Sequence, residues 1–142
     1  MMWVIDASVA LRWFIVDEAH PHAEAVLERL VSRPETFAVP ELFCFEVFSV
    51  LCRVHPRGWE AFVIAMMPIL EGGMLRHAMT RDLAEEAQRF INLGLTGYDA
   101  SYVALARRLE GMWLTFDAKA HGAISTEGLS WDLGQGMPPA WE

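Results

Sequence analysis

The stretch Trp3-Val4-Ile5-Asp6-Ala7-Ser8-Val9-Ala10-Leu11-Arg12-Trp13-Phe14 decides the fold. Three apolar residues run unbroken into an aspartate, and helical spacing begins directly behind it. A short continuous apolar run followed by a helix is the form taken by a strand covered on both faces, as in a parallel sheet. The form returns at Trp113-Leu114-Thr115-Phe116-Asp117. Asp6 and Asp117 then both stand where a buried strand ends, which is where open α/β sheets bind ligands.

Working outward, short apolar runs alternate with longer amphipathic ones, so the chain reads as α/β with a central parallel sheet. Strands are expected at Trp3 to Asp6, Phe37 to Val39, Leu75 to Ala78, Met112 to Thr115 and Leu129 to Leu133. Helices are expected at Ser8 to Phe14, His20 to Ser32, Trp59 to Leu70, Arg81 to Leu93 and Tyr98 to Glu110, with a turn around Lys119. Pro40 suits the first turn of a further helix reaching His55, and Pro68 should bend the one that contains it. Residues 1–135 form one domain, and the proline-bearing segment 136–142 forms a tail. There is no internal repeat.

A chain of 142 residues that is 54% hydrophobic can fill one core, not two. It contains no apolar stretch of membrane-spanning length, and Met1-Met2-Trp3-Val4 lacks the basic flank of a signal peptide. The expectation is a cytoplasmic protein with no membrane association. Cys44 and Cys52 lie too far apart along one helix for a disulfide and read as buried packing. Met66, Met67, Met74 and Met79, with Trp13, Trp59 and Trp113, read as core, and Trp131 and Trp141 as core or a subunit contact. The net charge of −8 opposes broad attraction to a polyanion, so nucleic-acid binding would need imported cations. Arg12, Arg53, Arg57 and Lys119, the only lysine, are the candidate phosphate guides.

Two further acids join Asp6 and Asp117. Glu46 interrupts Leu42, Phe43, Cys44, Phe45, Val47 and Phe48 with no cation one helical turn away, and Asp99 opens an apolar helix. Each has an ordinary explanation. Asp6 and Asp117 can cap the helices behind them, and Thr96 with Asp99 fits a reciprocal cap. Glu46 resists such an account best. As a set, oxygen donors without zinc-type Cys or His spacing suit Mg²⁺ or Mn²⁺, ions that activate water and neutralise charge in phosphoryl chemistry. Ser8 and Thr115, each two residues from an aspartate, can support a carboxylate or simply cap backbone. No phosphate loop, nucleophile elbow or Asp-x-Asp pair is present, and His20, His22 and His121 are poor ligand candidates.

These residues resemble a family. Val4 to Phe14 is similar to the opening of a PIN domain, particularly that of VapC toxins from toxin–antitoxin pairs. Pro40-Glu41-Leu42 through Glu46-Val47 resembles the central acidic helix, Tyr98-Asp99-Ala100 through Ala106 the third acid, and Leu114-Thr115-Phe116-Asp117 the fourth. The resemblance implies a Rossmann-like three-layer α/β/α domain and a Mg²⁺- or Mn²⁺-dependent endoribonuclease acting on single-stranded or structured RNA. It also implies a homodimer and a cognate antitoxin that covers the groove. Asp6, Glu46 and Asp99 would be the principal metal acids, with Asp117 completing the pocket. Many relatives carry Asn where this chain has Ser49, which shortens the polar reach there. The competing readings are a non-catalytic PIN module that binds a partner protein and a stand-alone PIN nuclease without antitoxin.

Overall fold

A computed structural model describes residues 1–142. Its centre is a five-stranded, wholly parallel sheet built from β1 (Trp3–Ile5), β2 (Phe37–Pro40), β3 (Leu75–His77), β4 (Met112–Thr115) and β5 (Ser130–Asp132), in the order β3-β2-β1-β4-β5. The first strand is therefore the middle one, flanked by β2 on one side and by β4 on the other. Chain direction away from β1 reverses there, which opens a crevice at the carboxyl ends of β1 and β4. Trp3 faces Met112 and Ile5 faces Leu114 across that pair.

Helices cover both faces and complete the α/β/α arrangement. They are α1 (Ala7–Ala10), α2 (Pro21–Ser32), α3 (Leu42–Val54), α4 (Gly58–Ala61), α5 (Met67–Leu70), α6 (Arg81–Asn92), α7 (Gly97–Arg108) and α8 (Ala118–Ile124). Helix α7 packs against β1, β2 and β4, with α6 against it. Ala100 through Ala106 are all buried, so α7 is enclosed on nearly every side. The largest fully buried side chains include Trp113, Tyr102, Phe37, Phe43 and Phe90. At the turn from α7 into β4, a Cβ on Gly111 would stand 2.2 Å from the carbonyl oxygen of Met2. Only glycine lets the two backbones approach so closely.

Several expectations need correction. Pro40 ends β2, opposite His77, and α3 starts only at Leu42. Beyond the α1 turn, Leu11–Trp13 tightens into a 3₁₀ helix. The expected helix from Trp59 to Leu70 is α4 and α5 joined through a π segment, Phe62–Met66. Pro68 has no N–H to give the carbonyl of Ile64, and the Met67 N–H reaches back to Phe62 instead, widening the turn. Cys44 is buried but Cys52 is exposed. Trp59 and Ile91 are also exposed, because no element covers those faces of their helices, and Met79 is exposed in the connection between β3 and α6. Trp141 returns to its own chain, with its ring 5.1 Å from Trp3 and 6.4 Å from Phe37, and the Arg29 guanidinium lies 3.8 Å above it. Trp131 Nε1 donates to the carbonyl of Gly136.

Candidate active site

Asp6 leaves β1 with extended backbone and caps α1. The Ser8 amide and hydroxyl both donate to its Oδ1, at 3.0 and 2.5 Å, and Trp113 Nε1 donates to its Oδ2 at 3.1 Å. Ser8 Oγ also accepts the Phe116 amide at 3.0 Å and lies 3.5 Å from Thr115 Oγ1. Thr115 Oγ1 in turn accepts the Asp117 amide at 3.0 Å. Both hydroxyls thus knit the ends of β1 and β4 together. Asp117 caps α8 through the Ala120 amide, leaving its other oxygen free of protein donors.

Glu46 enters from α3. Its partner is one the sequence did not reveal: Tyr102 Oη donates to Glu46 Oε1 at 2.5 Å, across 56 residues. The Tyr102 ring lies nearly parallel to Trp113, at 11° with 6.1 Å between centroids. One stacked aromatic pair therefore forms a floor whose two polar tips hold one acid each, Tyr102 for Glu46 and Trp113 for Asp6. Buried Tyr and Trp ordinarily satisfy those tips, and here the available acceptors are the acids. Asp99 sits in the first turn of α7, where its amide donates to Thr96 Oγ1 at 3.1 Å.

The four acids repel one another. Burial pushes the Asp6 carboxyl up to about 6, against the pull of the Ser8 and Thr115 hydroxyls, and the Asp99 charge adds to the rise. Glu46 is raised by burial and by Asp99, opposed by the Tyr102 hydroxyl. Asp99 is raised by burial and by Asp117, opposed by Thr96. Asp99 is thus the acid through which the other three are coupled, and no basic group enters the balance of Asp6, Glu46 or Asp99. A cluster of this kind is stabilised by protons or by a cation.

No three His, Cys, Asp or Glu side chains converge tightly enough to grip one ion directly. The donor set still fits a hard divalent cation of the kind that keeps most of its water and takes only one or two carboxylates. Asp6, Glu46, Asp99 and Asp117 are the residues that would hold it. Ser49 is exposed on α3, and Lys119 is exposed on α8. Arg12 lies beside the pocket, its guanidinium 4.0 Å from the Phe116 ring centroid. His121 shares a hydrogen bond of 2.7 Å with Ser130 Oγ, tying α8 to β5. Asp132, a buried acid at the end of β5 in register with Thr115, escaped the sequence reading. It accepts the Gly134 amide at 2.8 Å and caps the turn that follows, and Ser130-Trp131-Asp132 is the strand-then-acid form in miniature.

An open parallel sheet with acids gathered at its switch point defines a class of α/β proteins suited to divalent-cation chemistry on phosphates. The family model for the PIN domain matches residues 3–123, and the chain belongs to the PIN-domain family. It is similar to Ribonuclease VapC3 of Pyrobaculum aerophilum, 28% identical over 131 residues, covering 82% of this chain and 90% of that one. FitAcB from Neisseria gonorrhoeae shares the fold with a TM-score of 0.68 at 13% identity, over 87% of this chain and 94% of that one. A toxin–antitoxin complex from Klebsiella pneumoniae contains a chain with the same fold, TM-score 0.61 at 16% identity, over 85% and 91%. PIN-domain nucleases generally use a divalent metal. No helix is long and apolar enough to cross a membrane.

Proposed function

We propose that this chain is an endoribonuclease dependent on Mg²⁺ or Mn²⁺ that hydrolyses phosphodiester bonds of single-stranded or structured RNA, as the toxin of a VapBC-type pair. The observation that carries the reading is the mutual coupling of Asp6, Glu46, Asp99 and Asp117 at the switch point, with no basic partner. Similarity to a ribonuclease and to a chain of a toxin–antitoxin complex supports the substrate and the antitoxin partner. The bound ion supplies charge neutralisation at the phosphodiester and lowers the pKa of water. Ser8 and Trp113 fix the orientation of Asp6, and Tyr102 that of Glu46, so these carboxylates would be pre-oriented to hold an ion. Ser8 and Thr115 are supporting residues, Ser49 tunes the outer rim of the pocket, and Arg12 or Lys119 meets backbone phosphate.

The remaining expectations follow from that assignment: a PIN domain over residues 1–135 with a tail over 136–142, a homodimer, and a cytoplasmic setting. A second reading, a non-catalytic PIN module, has one observation in its favour. Phe45, Phe48, Trp59, Val63 and Ile64 are exposed on α3, α4 and the π segment and are free to meet a partner protein. A stand-alone nuclease differs from the toxin only in lacking an antitoxin reading frame beside its gene.

Purified protein incubated with a mixed single-stranded RNA pool in Mg²⁺, Mn²⁺ or EDTA separates the readings. Metal-dependent cutting is expected, with Asp6→Asn and Asp99→Asn each lowering turnover on the order of a thousandfold, the scale of several kcal/mol of lost charge stabilisation. No cutting under any condition, together with no metal heat by calorimetry, favours the binding module.

A further inference from the structure

Five arginines have carboxylate partners: Arg57, Arg76, Arg89, Arg107 and Arg108. Arg12 is one of the five arginines without such a partner, in a chain with 19 acids against 11 lysines and arginines. Asp17 and Glu18 stand close in sequence, yet the Arg12 side chain donates to the backbone carbonyl of Glu18 at 3.2 Å rather than to either carboxylate. Its guanidinium carbon lies 4.0 Å over the centre of the Phe116 ring, and its Nε is buried without an acceptor. An orphaned buried donor costs stability unless a ligand or water supplies an acceptor. Phe116 is itself fixed, because its amide donates to the Ser8 hydroxyl that holds Asp6.

The same ring also meets His20, edge-on at 62° with 5.0 Å between centroids. Its Nδ1 accepts the His22 amide at 3.1 Å, which places the ring proton on Nε2 and leaves that donor available. A guanidinium and an imidazole N–H therefore flank one aromatic ring, one residue from Asp117 and one hydroxyl from Asp6. Sequence spacing gave His20 no role because it lies outside any helical ligand pattern; it is the cap of α2 that brings it here.

We propose that Arg12, Phe116 and His20 form a nucleotide platform on the β4 side of the acid pocket, where Arg12 and His20 hold a backbone phosphate next to the one that is cut. The inference rests on the nuclease reading for its class of ligand and chooses Arg12 over Lys119, which is exposed with no aromatic support. Planar, pre-oriented and weakly hydrated, a stacked guanidinium suits phosphate better than a free ammonium. It also gives a chain of net charge −8 a local cationic foothold that metal alone does not provide.

The test is binding of a fluorescein-labelled single-stranded RNA of mixed sequence, read by anisotropy in Mg²⁺ over a range of NaCl. An Asp99→Asn background keeps the RNA intact. Arg12→Ala should weaken binding about tenfold and lower the slope of log affinity against log salt by about 0.7, the value for one phosphate contact on a single strand. Arg12→Lys should keep the slope with weaker binding, and Phe116→Leu should keep the slope and lose several-fold affinity, with melting temperatures confirming that each variant is folded. A slope unchanged in folded Arg12→Ala, or no binding by the parent, overturns the platform. Arg12-dependent binding without any RNA cutting by the unmutated protein in Mn²⁺ overturns the nuclease reading and leaves the platform standing.

Discussion

The two ends of the sheet are built from the same strands and opposite chemistry. At the amino end, Trp3 and Phe37 meet Trp141 from the returning tail, and Arg29 lies over the indole. The ring contacts there are apolar or cation–π, Arg29 also donates to the backbone oxygen of Glu142, and these contacts favour folding. At the carboxyl end, one to a few residues further along β1 and β4, the same strands deliver Asp6 and Asp117 into mutual repulsion with Asp99 and Glu46. Favourable contacts gather at one end, which lets the other hold charges that oppose folding.

The largest effect expected from that contrast concerns pH. Asp6 has a folded pKa of about 6 against an ordinary 3.8, so between those values the folded state holds a proton that the unfolded chain has lost. Stability of the metal-free protein should fall as pH rises through that window and level off above it, by about 3 kcal/mol from the 2.2-unit difference (6 − 3.8). Glu46 and Asp99 contribute with the same sign. Urea titrations in EDTA should show Asp6→Asn gaining on the unmutated chain by that amount between pH 4 and pH 7, and Mn²⁺ should erase the gain. A constant difference across the range means that Asp6 ionises normally. The substitution is not a simple stabiliser, because an Asn that accepts from Ser8 turns its NH₂ toward the Trp113 N–H, and two donors then face each other. That conflict costs about 1–3 kcal/mol and offsets most of the relief at neutral pH.

Next in size, Trp141→Ala should lower stability by about 2 kcal/mol, less than a fully buried tryptophan because the ring is partly exposed. RNA turnover per folded molecule should not change. A fall in kcat with unaltered melting temperature would break the separation between the two ends. Smallest in stability is Tyr102→Phe, which keeps the stack on Trp113 and removes only the donor to Glu46. It should cost about 1 kcal/mol and reduce turnover about tenfold, at the low end of effects from residues that orient a metal acid. Phe at this position with full turnover means that Glu46 needs no such support.

What could be read from the chain follows the range of the forces involved. Strand β4 matches its expected limits, and β1 and β2 differ by one residue, because an unbroken apolar run is a local signal. The acids at strand ends were visible for the same reason. Trp113 reads as core and Tyr102 only as one position of the helix that Asp99 opens, since nothing local says that a hydroxyl will meet an acid 56 residues away or an indole one 107 away. The widened turn before Pro68 was foreseen as a bend, but its form depends on which carbonyl the Met67 amide finds. The outward faces of α3 and α6, with Phe45, Cys52 and Ile91 exposed, depend on which neighbours fail to cover them. Periodicity records that a face is apolar, not that it is buried.

The central position of β1 also sets a schedule for biosynthesis. Asp6 leaves the ribosome well ahead of its partner, and the Trp113 indole that locks it is 107 residues behind. Until β4 emerges and pairs Trp3 with Met112, the pocket has no floor beneath Asp6 and no Asp117. Long-range parallel pairing of this sort is slow to form and comes late. A nascent chain would therefore carry its early acids without an assembled pocket until β4 has joined the sheet.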